Sequence, residues 1–326
     1  MSEPINPRSS SSSRTETWER ATIKELANGA LVEQRRSRRW SLFFRFLLVA
    51  YIGFVTLMAF RNHLFPDTTS TTDHTAMLAM SGAIAADGDG ITAQGVLPSL
   101  RKAFKDDSAK AVVLSINSPG GSPVQSGIIY DEIVRLRAEY PDKKLYAVVQ
   151  DMAASGGYYI ASAADEIYVD KASIVGSIGV VTNGFGFVGT MEKLGVERRM
   201  ITAGENKGML DPFSPSRESD VEHMRTLVAD IHEQFKSVVR QGRGDRLKED
   251  DQIFTGKFWT GEQAIKLGLA DGLGSVDYVA REIVGVEEVI EYGPKKSLLD
   301  QLASQIGVSF YHSVKTDMFG GGQLFQ

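Results

Sequence analysis

Between residues 76 and 292, short apolar runs alternate with longer stretches of helical period. The runs at 76–84, 111–116, 145–149, 166–169 and 198–201 predict strands. Residues 122–140 predict a helix with Val124, Ile128, Ile133 and Leu136 on one face. Residues 217–240 predict a longer one, with Val221, Met224, Leu227, Val228, Ile231, Phe235 and Val238 along one side. Short helices follow near 261–267 and 276–283. Strand and helix in alternation imply an α/β fold built on parallel strands.

The part before residue 76 reads differently. Residues 1–39 are polar and charged, with room for a short helix within 15–34 carrying Trp18, Ile23, Leu26 and Leu31. Residues 40–60 are apolar except for Ser41, Arg45 and Thr56. As a helix this run spans about 32 Å, enough for a bilayer core. A buried core helix and a cleaved signal peptide are the competing readings. The sequence after it, Arg61-Asn62-His63-Leu64-Phe65, is a poor cleavage site, so a retained signal anchor is expected. Arg35, Arg36, Arg38, Arg39 and Arg45 crowd one flank and Arg61 stands alone on the other. The positive-inside rule then sets the N-terminus in the cytoplasm and the following domain outside it. The expected organisation is a cytoplasmic segment 1–39, an anchor 40–61, a polar linker 62–75, a folded domain 76–292 and a tail 293–326. In the tail, Leu298, Leu299, Leu302, Ile306 and Phe310 suit an amphipathic helix.

Composition narrows the chemistry. The formal net charge of −5 gives no support for nucleic-acid binding. With no cysteine there is no disulfide, no thiolate nucleophile and no cysteine-based zinc site. The five histidines form no ligand pattern; His63 and His74 fall in the linker, and His223 and His232 on a charged helix, so all are expected to face solvent. No GxxxxGK[ST] and no acidic metal cluster occurs, and no cofactor or metal is expected.

Four stretches suit a reaction site. Asp151-Met152-Ala153-Ala154-Ser155-Gly156-Gly157-Tyr158-Tyr159 joins a buried strand to a helix. Ser155 there is either a nucleophile near helix N–H groups or an ordinary N-cap. Asn117-Ser118-Pro119-Gly120-Gly121 also follows a buried strand, and paired glycines can aim backbone N–H groups at an oxyanion or simply make a turn. Lys207, in the loop Gly204-Glu205-Asn206-Lys207-Gly208-Met209-Leu210, is a candidate base or a solvated cation. A lysine acting as base near neutral pH must fall roughly three units from about 10.4, a cost of ~4 kcal/mol. Burial against Met209 and Leu210 would help, and pairing with Glu205 would oppose it. Ser177, in Gly176-Ser177-Ile178-Gly179-Val180, is either a hydrogen-bonding partner for the amine or part of a packed turn.

These motifs, in this order and spacing, resemble the signal peptide peptidase A (S49) serine proteases over residues 76–290. The resemblance implies a ClpP/crotonase-like spiral fold and a Ser–Lys dyad. Ser155 is then the nucleophile, Lys207 the general base, and the N–H groups of Gly120 or Gly121 and of Gly156 the oxyanion hole, with Ser177 a helper to Lys207. A single motif set matches the short members of the family. These form homo-oligomeric rings in which neighbouring subunits supply the serine and the lysine of one site. The Glu205-Asn206 pair before the lysine departs from the family's usual Gly-x-Tyr-Lys. The resemblance implies peptide substrates, signal peptides among them, at the cell inner membrane with the catalytic domain periplasmic. A crotonase-like acyl-CoA enzyme and a catalytically silent membrane scaffold are the alternatives.

Overall fold

A computed structural model of the protein describes residues 36, 38–57, 72–88, 90–248 and 250–293. The helix expected within 15–34, the linker up to 71 and the tail beyond 293 lie outside these residues, as do His63 and His312. The chain divides into two compact units, Met1–Thr68 and Thr69–Gln326.

In the first unit, helix α1 (Arg38–Leu57) has 20 residues, and its apolar side chains, Leu42 and Phe46 among them, are exposed along its length. By length and composition it can cross a membrane. Trp40 and Phe44 stack near its N-terminal end.

The second unit is an α/β fold, as the alternating pattern predicts. Strands β1 (His74–Ser81), β2 (Ala109–Ser118) and β3 (Lys144–Ala154) pair in parallel at its centre. Helices α2 (Ala93–Lys105) and α3 (Pro123–Glu139) make the crossovers. The centre of β2, Ala111 to Ile116, is buried throughout, which explains why only Ser115 interrupts its apolar run. After β3 come α4 (Gly156–Ala161), β4 (Glu166–Val169) and β5 (Ile174–Gly176). The first half of β3 pairs with β4 and its end pairs with β5, both in parallel. The β2–β3 register shifts between Ile116 and Ser118, with the extra residues on β3, just where the two glycine-rich stretches begin.

Helix α5 (Val188–Leu194) buries no residue; α6 (Glu218–Arg243) buries Phe235 and Val239 and packs against α4, with Phe235 beside Tyr159. Strand β6 (Phe258–Thr260) joins β5 antiparallel, and α7 (Gly261–Lys266) follows. Strand β7 (Gly272–Leu273), the turn α8 (Val276–Tyr278) with its π-helical continuation Val279–Val284, and β8 (Val289–Glu291) end the described domain. The sheet order is β6-β5-β3-β2-β1-β8; off this path β4 pairs with β3, and β7 pairs with β4.

Three expectations need correction. Residues 198–201 form no strand: they have no sheet neighbour among the described residues, and Ile201 is fully exposed. Two of the four residues are Arg198 and Arg199, and no sheet edge takes up the backbone groups of this stretch. In α3, Val124 and Ile128 face outward, and Ile129, Ile133 and Leu136 form the buried face. Ile128 and Ile133 are five residues apart, about 140° around a helix, so they cannot share a face. His74 does not face solvent. The first strand begins two residues earlier than expected, and His74 is buried in it, with Nε2 2.9 Å from the Tyr292 hydroxyl and Nδ1 3.0 Å from the Thr72 carbonyl.

Helices α2 and α3 are tied by Glu132, which accepts bonds from Arg135 Nε at 2.9 Å and Arg101 Nε at 2.6 Å. These bonds, Arg135 first, hold the carboxyl at about 2 against an ordinary 4.5. A carboxyl lowered on folding stabilises the fold fully above its unfolded value and loses that contribution as pH falls through its folded value. Both arginines are about half exposed, so the expected loss on Glu132→Gln at pH 7 is only about 1 kcal/mol. Unfolding curves of the two proteins should converge between pH 4.5 and 2.

Candidate active site

Ser155 stands between the end of β3 and the start of α4, at φ 51 and ψ −120. This is a left-handed position that a residue with a Cβ adopts at a cost of about 1–3 kcal/mol. Sharp strand–turn–helix elbows of this kind push a serine hydroxyl out of the backbone. The Ser155 N–H donates to the Gly176 carbonyl at 2.8 Å, and its carbonyl accepts the Tyr159 N–H at 2.9 Å. Of the two readings of the residue, the N-cap one fails on geometry: the side chain makes no capping bond.

The glycines around it permit contacts that side chains would block. A Cβ on Gly120 would stand 2.7 Å from Ser155 Cβ, and one on Gly156 would stand 2.5 Å from Ser126 Oγ. Gly120 and Gly121 have φ of 96 and 150, and the turn is locked to Ile84, whose N–H donates to Gly120 O at 2.9 Å.

Ser118, quoted in the motif but given no role from sequence, organises this turn. Its buried hydroxyl donates to Gly82 O at 2.7 Å and accepts the Gly120 N–H at 3.1 Å. Gly120's N–H is thereby engaged. Those of Gly121 and Gly156 donate to no protein group among the described residues, and the Gly121 nitrogen is 3.3 Å from the Cβ position of Gly156. Two open N–H groups therefore sit together next to Ser155. A hydroxyl two residues before a turn glycine is a recognisable ST-turn pattern, so Ser118 was within reach of sequence reasoning. Ser118→Ala should lower kcat about tenfold and stability by about 1–3 kcal/mol, because the Gly82 carbonyl and the Gly120 N–H lose their partner. Peptide hydrolysis and urea unfolding measure the two effects.

A cavity of about 420 Å³ opens beside Ser155. Gly121, Gly156, Tyr159 and Ser177 line it, and α6 contributes Ile231, Gln234 and Phe235. Ser177 also has a left-handed φ, 52, and its N–H donates to Lys257 O at 2.7 Å. Burial, then the charge of Asp131 and the neighbouring Tyr130, push the Tyr159 phenol up, so this wall is uncharged at neutral pH. A neighbouring apolar groove of about 320 Å³ shares Val180 and Val181 with the cavity and adds Leu210, Val221, Met224 and Val228. Among the described residues no three histidine, aspartate or glutamate side chains gather as a metal site would require.

The structure brings Ser155, Gly120, Gly121, Gly156 and Ser177 together within one chain. Lys207 is not with them. It lies on an exposed turn between α5 and α6 and does not line the cavity. Met209 and Leu210 do not cover it: Lys207 is exposed, and Leu210 faces the groove with Val181 and Val221. Glu205 and Lys207 form no ion pair, and the Glu205 carbonyl accepts instead from Arg217 Nη1 at 3.3 Å. The same segment exposes Val181, Phe185, Leu194, Val196 and Ile201, an apolar surface of the kind that marks a contact with another protein.

Residues 137–289, which include Ser155, Ser177 and Lys207, match peptidase family S49. The chain is 48% identical over 210 residues to a Brucella melitensis protein named Na(+)/H(+) antiporter NhaA, covering 64% of this chain and 28% of that one. It is 33% identical over 181 residues to an Enterococcus faecium protein provisionally named signal peptide peptidase SppA, covering 56% of this chain and 52% of that one. It is 32% identical over 212 residues to a Synechocystis sp. protein provisionally named protease slr0021, covering 65% of this chain and 74% of that one. The chain thus spans about a quarter of the first of these relatives and about half of the second. The third is covered over most of its length. With the elbow serine inside the matched region and the third relative covered over most of its length, the chain belongs to peptidase family S49.

Proposed function

We propose that the protein is a membrane-anchored serine endopeptidase in which Ser155 is the nucleophile and Lys207 of a neighbouring copy is the general base. The observation that carries this reading is the exposed-elbow geometry of Ser155 beside the unengaged N–H groups of Gly121 and Gly156. The absence of Lys207 from its own chain's cavity and the apolar surface of the segment that carries it support a base supplied across a subunit contact. A homo-oligomeric ring of ClpP-like domains is the assembly this implies.

In the reaction, the neutral Lys207 amine takes the Ser155 hydroxyl proton as Oγ bonds to the peptide carbonyl carbon. The resulting oxyanion accepts from the Gly121 and Gly156 N–H groups, with the Gly120 turn holding them in position. Collapse breaks the C–N bond, and the leaving amine takes the proton back from lysine. Water, activated by the same amine, then hydrolyses the ester and regenerates Ser155. Ser177 would hydrogen-bond the amine and orient it.

The substrates are extended peptides with apolar side chains, cleaved signal peptides among them, which suits the apolar groove shared with the cavity. Helix α1 is the anchor, and the flanking arginines set residues 1–39 in the cytoplasm and the domain 76–292 on the extracytoplasmic side of the inner membrane. The test incubates the full-length protein in lipid vesicles with a labelled signal peptide. The expected result is cleavage within the apolar segment. An intact peptide together with saturable binding of an acyl-CoA would favour the crotonase-like alternative. An intact peptide without such binding would favour the scaffold.

A further inference from the structure

His232 lies on α6, a helix that otherwise presents charge to solvent, and it is half-buried. Its Nε2 is 3.2 Å from the carbonyl oxygen of Ile178. A carbonyl can only accept, so Nε2 carries the hydrogen and donates. The same oxygen accepts the Gly256 N–H at 3.1 Å. Ile178 sits between Ser177 and Gly179, both of which line the Ser155 cavity, and its own side chain is fully buried.

This carbonyl is the last fixed point of the cavity wall. Upstream, the wall is held by Gly176 O, which accepts from the Ser155 N–H, and by the Ser177 N–H, which donates to Lys257 O. Downstream, the backbone groups of Gly179, Val180, Val181 and Thr182 have no hydrogen-bond partner among the described residues. Val180 and Val181 nonetheless wall both the cavity and the apolar groove. Backbone groups left open in this way can receive a peptide strand, and its register depends on where they are tethered.

We infer that His232 is a positioning residue: through Ile178 it fixes the edge along which the peptide lies, while taking no part in proton transfer at Ser155. Its neighbours on the helix fit this role. Ile231 and Phe235 line the cavity, and Phe235 also packs into the core, so the ring is held on a rigid support. The inference rests on the reading of Ser155 as nucleophile and adds a determinant of peptide binding to it.

The test uses the full-length protein and separates peptide binding from serine reactivity. Steady-state cleavage of a labelled signal peptide gives kcat and KM. Labelling by a small fluorophosphonate gives the reactivity of Ser155 without need of a peptide strand. His232→Leu should raise KM about 3- to 10-fold, as expected for the loss of one hydrogen bond, with kcat and probe labelling within about twofold of wild type. His232→Gln keeps an N–H donor at nearly the same reach and should restore KM. If the leucine variant fails to fold, His232→Ser removes the ring without adding apolar bulk and carries the same expectation.

Unchanged KM in the donor-less variant would overturn the inference. So would an equal loss of peptide cleavage and probe labelling, or a glutamine variant no better than leucine. A wild-type protein that neither labels at Ser155 nor cleaves peptide would instead overturn the nucleophile assignment, and the positioning role with it.

Discussion

Ser155→Ala is expected to reduce peptide cleavage by on the order of 10⁴-fold or more while leaving the fold intact. The hydroxyl makes no capping bond, so its removal breaks no internal contact. What remains, the N–H groups of Gly121 and Gly156 and the shape of the cavity, can bind a peptide without offering it a nucleophile. Ser155→Gly separates function from stability further. At φ 51 a serine is strained and a glycine is not, so this variant should be equally inactive and more stable by about 1 kcal/mol. Urea unfolding of both variants beside a cleavage assay tests the pair. An inactive, destabilised Ser155→Gly would show that the elbow carries no strain.

The largest stability effect is expected at Asp271. Arg243, whose side chain is fully buried, places Nη1 and Nη2 each 2.8 Å from the two carboxylate oxygens of Asp271 and donates from Nε to Gly268 O at 2.8 Å. The Ile167 N–H also donates to Asp271, at 2.6 Å. The pair thus joins the end of α6 to the start of β4 and to the segment between α7 and β7. Asp271→Ala leaves a buried guanidinium without its counter-charge and should cost about 3–5 kcal/mol. Burial alone would push the Asp271 carboxyl up, but the bond and charge of Arg243 outweigh it and hold the group below its ordinary 3.8. Its contribution is therefore complete above that value and lost as pH falls below it. Urea unfolding at pH 7 and at lower pH should show a variant gap that narrows with acid.

The sheet was readable from the sequence because its central strands are buried on both faces, and continuous apolar runs such as 145–149 and 167–169 have few other uses. The glycine pairs were readable because left-handed or contact positions exclude other residues. The failures share a cause. Met200, Ile201 and Val124 are apolar without being in the core, and hydropathy alone cannot tell a buried face from one kept for another molecule. His74 and His232 were assigned to solvent because both sit among polar neighbours in sequence. Their partners, Tyr292 and the Ile178 carbonyl, are far away along the chain, and no local pattern announces them. Lys207 is a different case: the chain supplies the residue, and its environment depends on what meets the exposed segment.

That dependence can be measured by co-assembling two inactive subunits, Ser155→Ala and Lys207→Ala, in equal amounts. If each site takes its serine from one copy and its lysine from the next, random mixing should restore about a quarter of wild-type peptide cleavage, because a head-to-tail contact joins one intact residue to the other in about that fraction of sites. A mixture as inactive as its two components would contradict a base supplied by the neighbouring copy.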